Sequence, residues 1–196
     1  MFDLKLANDP LFLAGRRAFL GRSGLLLSGT AVALLAGRES MAAQLQKTGA
    51  QSTANDVHIL NGALAAEHQG IAAYQVGAET GLLQKPVLEL ALQFQRQHKA
   101  HAALLEATVK QLGGTPVAAI QNYDFPVHQL TTQADVLRFA AGLEQGAVSA
   151  YLGAVPAFDN RDLAKAAASI LGDEAMHWAV LRQALGEDPV PAAFVG

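Results

Sequence analysis

Twice in this chain a glutamate is followed seven positions later by a tyrosine, each time on a stretch whose large apolar residues step by three and four. The first instance is Glu67 and Tyr74 in LAAEHQGIAAYQVGA; the second, 77 residues further on, is Glu144 and Tyr151 in GLEQGAVSAYLGAV. A second doubled pattern lies 76 residues apart, with His98 and His101 in QFQRQHKAHAALL matching Glu174 and His177 in ILGDEAMHWAVLR. Stepping by three and four is the period of an α-helix that buries one stripe. The chain must therefore fold as helices whose buried stripes carry carboxylates and imidazoles at matched heights.

Four such stripes can be traced. Leu60, Leu64, Glu67, Ile71, Tyr74 and Ala78 form the first, closed by Gly81. Lys85-Pro86 opens the second, a proline being tolerated in a first turn, and Val87, Ala91, Phe94, His98, His101, Leu105, Thr108 and Leu112 mark its face. Gly113-Gly114-Thr115-Pro116 stops it. A connection of about 18 residues follows, longer than the 2 to 8 residues usual between neighbouring helices. Thr132 with Asp135 reads as a capping box for the third helix, which shows Leu137, Ala140, Glu144, Val148 and Tyr151 and ends near Pro156. Asp159 or Asn160 caps the fourth, with Leu163, Ala167, Ile170, Glu174, His177 and Leu181 on its face and Gly186 at its end. When the halves are superposed, core positions fall on core positions and candidate ligands on candidate ligands. The expected fold is all-α: an antiparallel four-helix bundle of two helical hairpins joined by a long crossover. The repeat reads as an internal duplication, with the hairpins related by an approximate twofold axis.

Composition agrees and excludes alternatives. The chain has 196 residues, 51% of them hydrophobic, enough for one domain with a real core. Only 6% are aromatic, and alanine and leucine favour helix over sheet. A net charge of −3 gives no electrostatic reason to expect nucleic acid as a partner. The absence of cysteine excludes disulfides, thiolate metal sites and cysteine nucleophiles. Residues 1–42 read differently from the rest. Arg16-Arg17-Ala18-Phe19-Leu20 precedes an apolar run from Leu25 to Ala36, too short to span a bilayer comfortably, with small residues up to Ala42. This resembles a twin-arginine export signal and implies a periplasmic protein, or a membrane-anchored one if the segment is retained. Residues 43–54 read as a flexible lead-in, 55–186 as the bundle and 187–196 as a tail.

Residues three apart on a helix project from one face, so His98 with His101 and Glu174 with His177 can each grip a metal ion. Glu67 and Glu144 lie on the inward stripes of the other two helices. An ionised carboxylate on such a stripe is costly unless paired, and divalent cations would remove that cost. Mixed oxygen and nitrogen donors suit iron, manganese or zinc. The chain resembles the ferritin-like superfamily, in which helices one and three each give a Glu and helices two and four each give a Glu-x-x-His. The Glu-x6-Tyr spacing also resembles that superfamily, where the tyrosine sits close to the metal-binding Glu. The segments LNGALAAEHQGIAAYQVG and LGGTPV…YDFP are similar to exported bacterial ferritin-like domain proteins related to desiccation-associated proteins. The resemblance covers about residues 55 to 186. It implies that Glu67, His101, Glu144, Glu174 and His177 bind metal, with Tyr74 and Tyr151 beside them. His98 joins them by position only, because the family pattern has Glu there. Imidazole cannot bridge two metals as a carboxylate does. An asymmetric dinuclear site with Glu174 as the sole bridge of that kind, a mononuclear site and a metal-free bundle all stay open.

Other polar residues have plainer readings. His68 lies about 100° around the helix from Glu67 and reads as a surface residue or one behind the ligands; His58 and His128 lie near the start of the first helix and in the crossover; Glu79, Glu89 and Glu106 read as surface charge; Asp173 as solvated or paired with a cation. Trp178 is expected between helices or at a subunit contact. The leading function is an exported metalloprotein binding iron or manganese, with oxygen, peroxide or metal-ion redox chemistry. If it is an enzyme, it is an oxidoreductase of the di-iron carboxylate type. The alternative is a metal-free structural or stress-protective bundle of the cell envelope. Metal ions are the expected partners, with a homo-oligomer as a further option.

Overall fold

Residues 50–195 are described in a computed structural model; the export-like segment 1–42 lies outside the described residues. Four helices account for most of them: α1 Ala50–Glu79, α2 Lys85–Gln111, α3 Gln133–Ala154 and α4 Arg161–Ala184. Single 3₁₀ turns occupy Val127–Gln129 and Val155–Ala157. No described helix is long and apolar enough to cross a membrane.

Local chemistry sets the helix ends. Beyond Glu79 the Thr80 hydroxyl donates to the Gly77 carbonyl at 2.7 Å, and Gly81 turns the chain with φ 69°. Pro86 lies in the first turn of α2, where a missing N–H costs nothing. Thr132 and Asp135 form the expected capping box at α3, each side chain satisfying the other's backbone N–H. Asn160, not Asp159, caps α4, accepting from the N–H of Asp162 at 2.8 Å. One boundary differs from expectation. The lead-in assigned to 43–54 is helical from Ala50, so α1 is 30 residues long. Ala, Gln, Ser and Thr carry no apolar period to read, yet none of them breaks a helix, and the last glycine before the bundle is Gly49.

α1 packs along α2 and α3 along α4, while α1 also meets α3. Side-chain pairs give the directions. Tyr74 reaches Glu144 and Tyr151 reaches Glu67, so α1 and α3 run antiparallel. Gln97 meets His177 and His101 meets Asp173, so α2 and α4 do too. The crossover holds its course by clasping α1: Asn61 donates to the Thr115 carbonyl at 3.1 Å and accepts from Val117 N at 2.8 Å. Buried Asp56 ties α1 to the start of α4, accepting from the N–H groups of Asp159 at 2.8 Å and Asn160 at 3.1 Å.

Apolar packing brackets the polar middle. Phe94, Leu137, Ala141 and Leu181 join Tyr74 in one buried cluster, and Trp178 packs against it. Trp178 is half-buried there, with the Arg182 guanidinium 5.7 Å from its ring centroid. Leu60, Leu64, Val109, Val148 and Leu163 are buried as well. Between these apolar residues lie Glu67, His98, Glu144, Glu174 and His177, none more than 4% exposed.

Candidate metal centre

Each helix brings its polar residues to the same height. Glu67 comes from α1, His98 and His101 from α2, Glu144 from α3, and Glu174 and His177 from α4. All six side chains meet. They form two overlapping sets, Glu67–His98–His101–Glu174 and His98–Glu144–Glu174–His177, and within each set one donor atom from every residue lies within 4.8 Å of the others. His98 and Glu174 belong to both.

His98 occupies the middle. Its Nδ1 lies 2.8 Å from Glu67 Oε2 and its Nε2 3.3 Å from Glu144 Oε1. Gly70 makes room for the ring, since a Cβ there would come within 3.2 Å of His98 Nδ1. The outer imidazoles turn Nδ1 inward: His101 Nδ1 is 3.1 Å from Glu174 Oε1, and His177 Nδ1 is 3.3 Å from Glu174 Oε2. Their Nε2 atoms face outward. His177 donates to Gln97 Oε1 at 2.9 Å, and His101 lies 3.2 Å from Asp173 Oδ2. An outward N–H held in this way orients each ring so that Nδ1, once a metal displaces its proton, faces the cluster with its lone pair.

The contacts cross between hairpins. The Tyr74 hydroxyl donates to Glu144, and the Tyr151 hydroxyl donates to Glu67 at 2.6 Å. Gln97 serves the histidine of α4 and Asp173 that of α2. Gln97 carries no signal of its own in the sequence, while Asp173, expected to be solvated or paired with a cation, pairs with the His101 imidazole at 3.2 Å. It is half-buried beside His101 and 3.5 Å from His177 Nε2. The 76-residue interval that relates His98 to Glu174 also relates Gln97 to Asp173, and that was the available clue. His58 and His128 are exposed, His68 is half-buried, and none of them enters either donor set.

Electrostatics follow from crowding opposite charges into a buried volume. Burial pushes carboxyls up and imidazoles down, but at most of these positions the neighbours win. His101 and His98 pull Glu67 down to about 2 against its burial. The surrounding carboxylates raise His98 to about 10, His101 to about 11 and His177 to about 9. Glu174 goes the other way: burial, helped by neighbouring Glu144, raises its carboxyl. Burial beside Glu144 and Glu67 keeps Tyr74 and Tyr151 protonated, as hydrogen-bond donors.

The donor set fits divalent metal. His101 Nδ1, His177 Nδ1 and both Glu174 oxygens are buried and make no hydrogen bond, although they lie close together. A native interior rarely leaves four such atoms unsatisfied at one point. Two imidazole lone pairs and a carboxylate facing one another are what a cation between them would use. Glu67 and Glu144 each take a tyrosine hydroxyl on one oxygen.

Similar architectures occur among solved structures. A conserved hypothetical protein from Mycobacterium tuberculosis shares 26% identity over 73% of this chain and 99% of its own, with a TM-score of 0.64. A protein from Bacillus anthracis described as a ferritin-like, diiron-carboxylate protein shares 22% identity over 70% of this chain and 99% of its own, with a TM-score of 0.61, a likeness of fold. Comparison with curated proteins gives no match. The sequence profile of the ferritin-like domain matches residues 55–187, and with the four-helix architecture around that polar centre, the chain belongs to the ferritin-like family.

Proposed function

We propose that this chain is an exported metalloprotein holding two iron or manganese ions in mid-bundle, with oxidoreductase chemistry toward oxygen, peroxide or ferrous ion. The observation that carries the reading is the group of four buried donor atoms without hydrogen bonds, on Glu174, His101 and His177. The description of the Bacillus anthracis protein as diiron-carboxylate supports the same nuclearity here. Glu67, Glu144 and Glu174 would supply the carboxylates, and His98, His101 and His177 the imidazoles. Iron or manganese bound there supplies one-electron redox chemistry and open coordination positions. The chain's own residues hold protons and exclude water: Tyr74 and Tyr151 keep one oxygen of Glu144 and of Glu67 engaged, while Phe94 stacks on His177 at 4.1 Å. A role in oxidative stress belongs to the same reading. Hairpin duplication accounts for the crossed contacts, and the Arg16-Arg17 segment supports export of an already folded, metal-loaded protein to the periplasm. Cell fractionation checks the last point; an unprocessed chain confined to the cytoplasm contradicts it.

A second reading, a metal-free structural bundle, is favoured by one observation. Three carboxylates and three imidazoles can neutralise one another, as the 2.8 Å contact of His98 with Glu67 illustrates. Thermal shift separates the two. Fe²⁺ or Mn²⁺ added to the metal-free chain should raise its melting temperature by several degrees, in line with about 2.7 kcal/mol at one hundred times the dissociation constant. The Glu144→Ala and Glu174→Ala proteins should keep their helical content and lose the shift. No shift in the native sequence favours the structural bundle.

A further inference from the structure

The two donor sets differ chemically, and the difference lies in His98. A neutral imidazole has one lone pair and one N–H, so it can ligate on one side only. Its Nδ1 makes the shorter contact, 2.8 Å to Glu67 Oε2, against 3.3 Å from Nε2 to Glu144 Oε1. When metal displaces one proton from this imidazole, the shorter contact keeps the other on Nδ1, shared with Glu67, and Nε2 is the atom left for the set that contains Glu144 and His177. A glutamate at this position would give one oxygen to each side; the histidine breaks that symmetry.

Burial reinforces the inequality. The side chain of His177 is 2% exposed and stacked under Phe94, whereas that of His101 is 14% exposed and its partner Asp173 20%. The residue matching Phe94 on α4 is aliphatic Ile170. One end of the cluster is thus enclosed and the other opens toward solvent.

We infer that the centre comprises two unequal cation sites: an inner one built from His98 Nε2, Glu144, Glu174 and His177, which fills first and tightly, and an outer one built from Glu67, Glu174 and His101, which binds more weakly and exchanges with solvent. This rests on reading the cluster as a metal centre. The inner site has four protein ligands and the outer three, with Glu67 partly committed to the His98 N–H. Divalent iron or manganese would be retained at the inner position while the outer ion is loaded and lost.

Titration of the metal-free full-length chain with Co²⁺, followed by calorimetry and visible absorption, tests this. Two steps of one equivalent each are expected, their dissociation constants differing by more than about tenfold, the scale on which even a ligand's hydrogen-bonding partner is felt. His98→Ala should weaken the first step by about tenfold or more and leave the second. His101→Ala should remove the second alone, and it decides the matter if His98→Ala fails to fold by circular dichroism. Two equal steps, or a first step unchanged in His98→Ala, overturn the inference while leaving a metal centre in place. Failure of the native sequence to bind Co²⁺ at all overturns the metal-centre reading itself.

Discussion

Three carboxylates and three imidazoles share the middle of this bundle, and except at Glu174, whose carboxyl burial raises, opposite charges hold one another ionised. In the metal-free protein these charges make stability depend on pH. His98, His101 and His177 have folded values near 10, 11 and 9 against a usual 6.5, so their stabilisation is complete below 6.5 and lost as pH rises through about 9 to 11. Glu67 has the opposite sense: its contribution is present above its usual 4.5 and lost as pH falls toward about 2. Glu174, whose carboxyl is raised, works against Glu67, because ionising it above 4.5 weakens the fold. The melting temperature of chelator-treated protein should therefore peak between about pH 4.5 and 6.5 and decline on both sides. A profile flat from pH 4 to 11 would mean that the cluster is not ionised as described. Metal must displace protons from these imidazoles, so its apparent affinity should rise with pH across neutrality.

The helices are set by local devices whose loss has a predictable cost. Thr132 caps α3 reciprocally with Asp135, and Asp56, only 1% exposed, anchors α1 to the residues that lead into α4. Thr132→Ala should cost about 1 kcal/mol. Asp56→Ala strands two backbone N–H groups and should cost about 1 to 3 kcal/mol. Urea denaturation measures both, and an Asp56→Ala protein as stable as the native chain would show that α1 needs no such anchor. Most of the element structure was legible beforehand. The stripe from Leu60 to Ala78, the Gly81 stop, the Thr132–Asp135 box and the long crossover all announce themselves by period or turn chemistry. The first turn of α1 does not, because Ala50–Ala54 contains no large apolar residue to set a phase.

At the scale of the molecule, two hairpins cross-link through their own site residues: Tyr74 to Glu144, Tyr151 to Glu67, Gln97 to His177 and Asp173 to His101. The six central residues could be picked from sequence because polar groups on an apolar stripe are conspicuous. Gln97 and Asp173 share the same 76-residue interval, but their contacts across to His177 and His101 on the opposite hairpin come only from tertiary packing. His98 was visible as a departure, but its place between two glutamates needed coordinates. Whether the bundle holds two metal ions, as proposed, can be read from anomalous diffraction by crystals of the full chain grown with Mn²⁺ or Fe²⁺, measured on both sides of the metal's absorption edge. Two peaks are expected within about 2.5 Å of the Glu174 oxygens, one beside His101 and the other beside His177. A bundle interior without a peak, or peaks confined to surface carboxylates, would contradict the proposal.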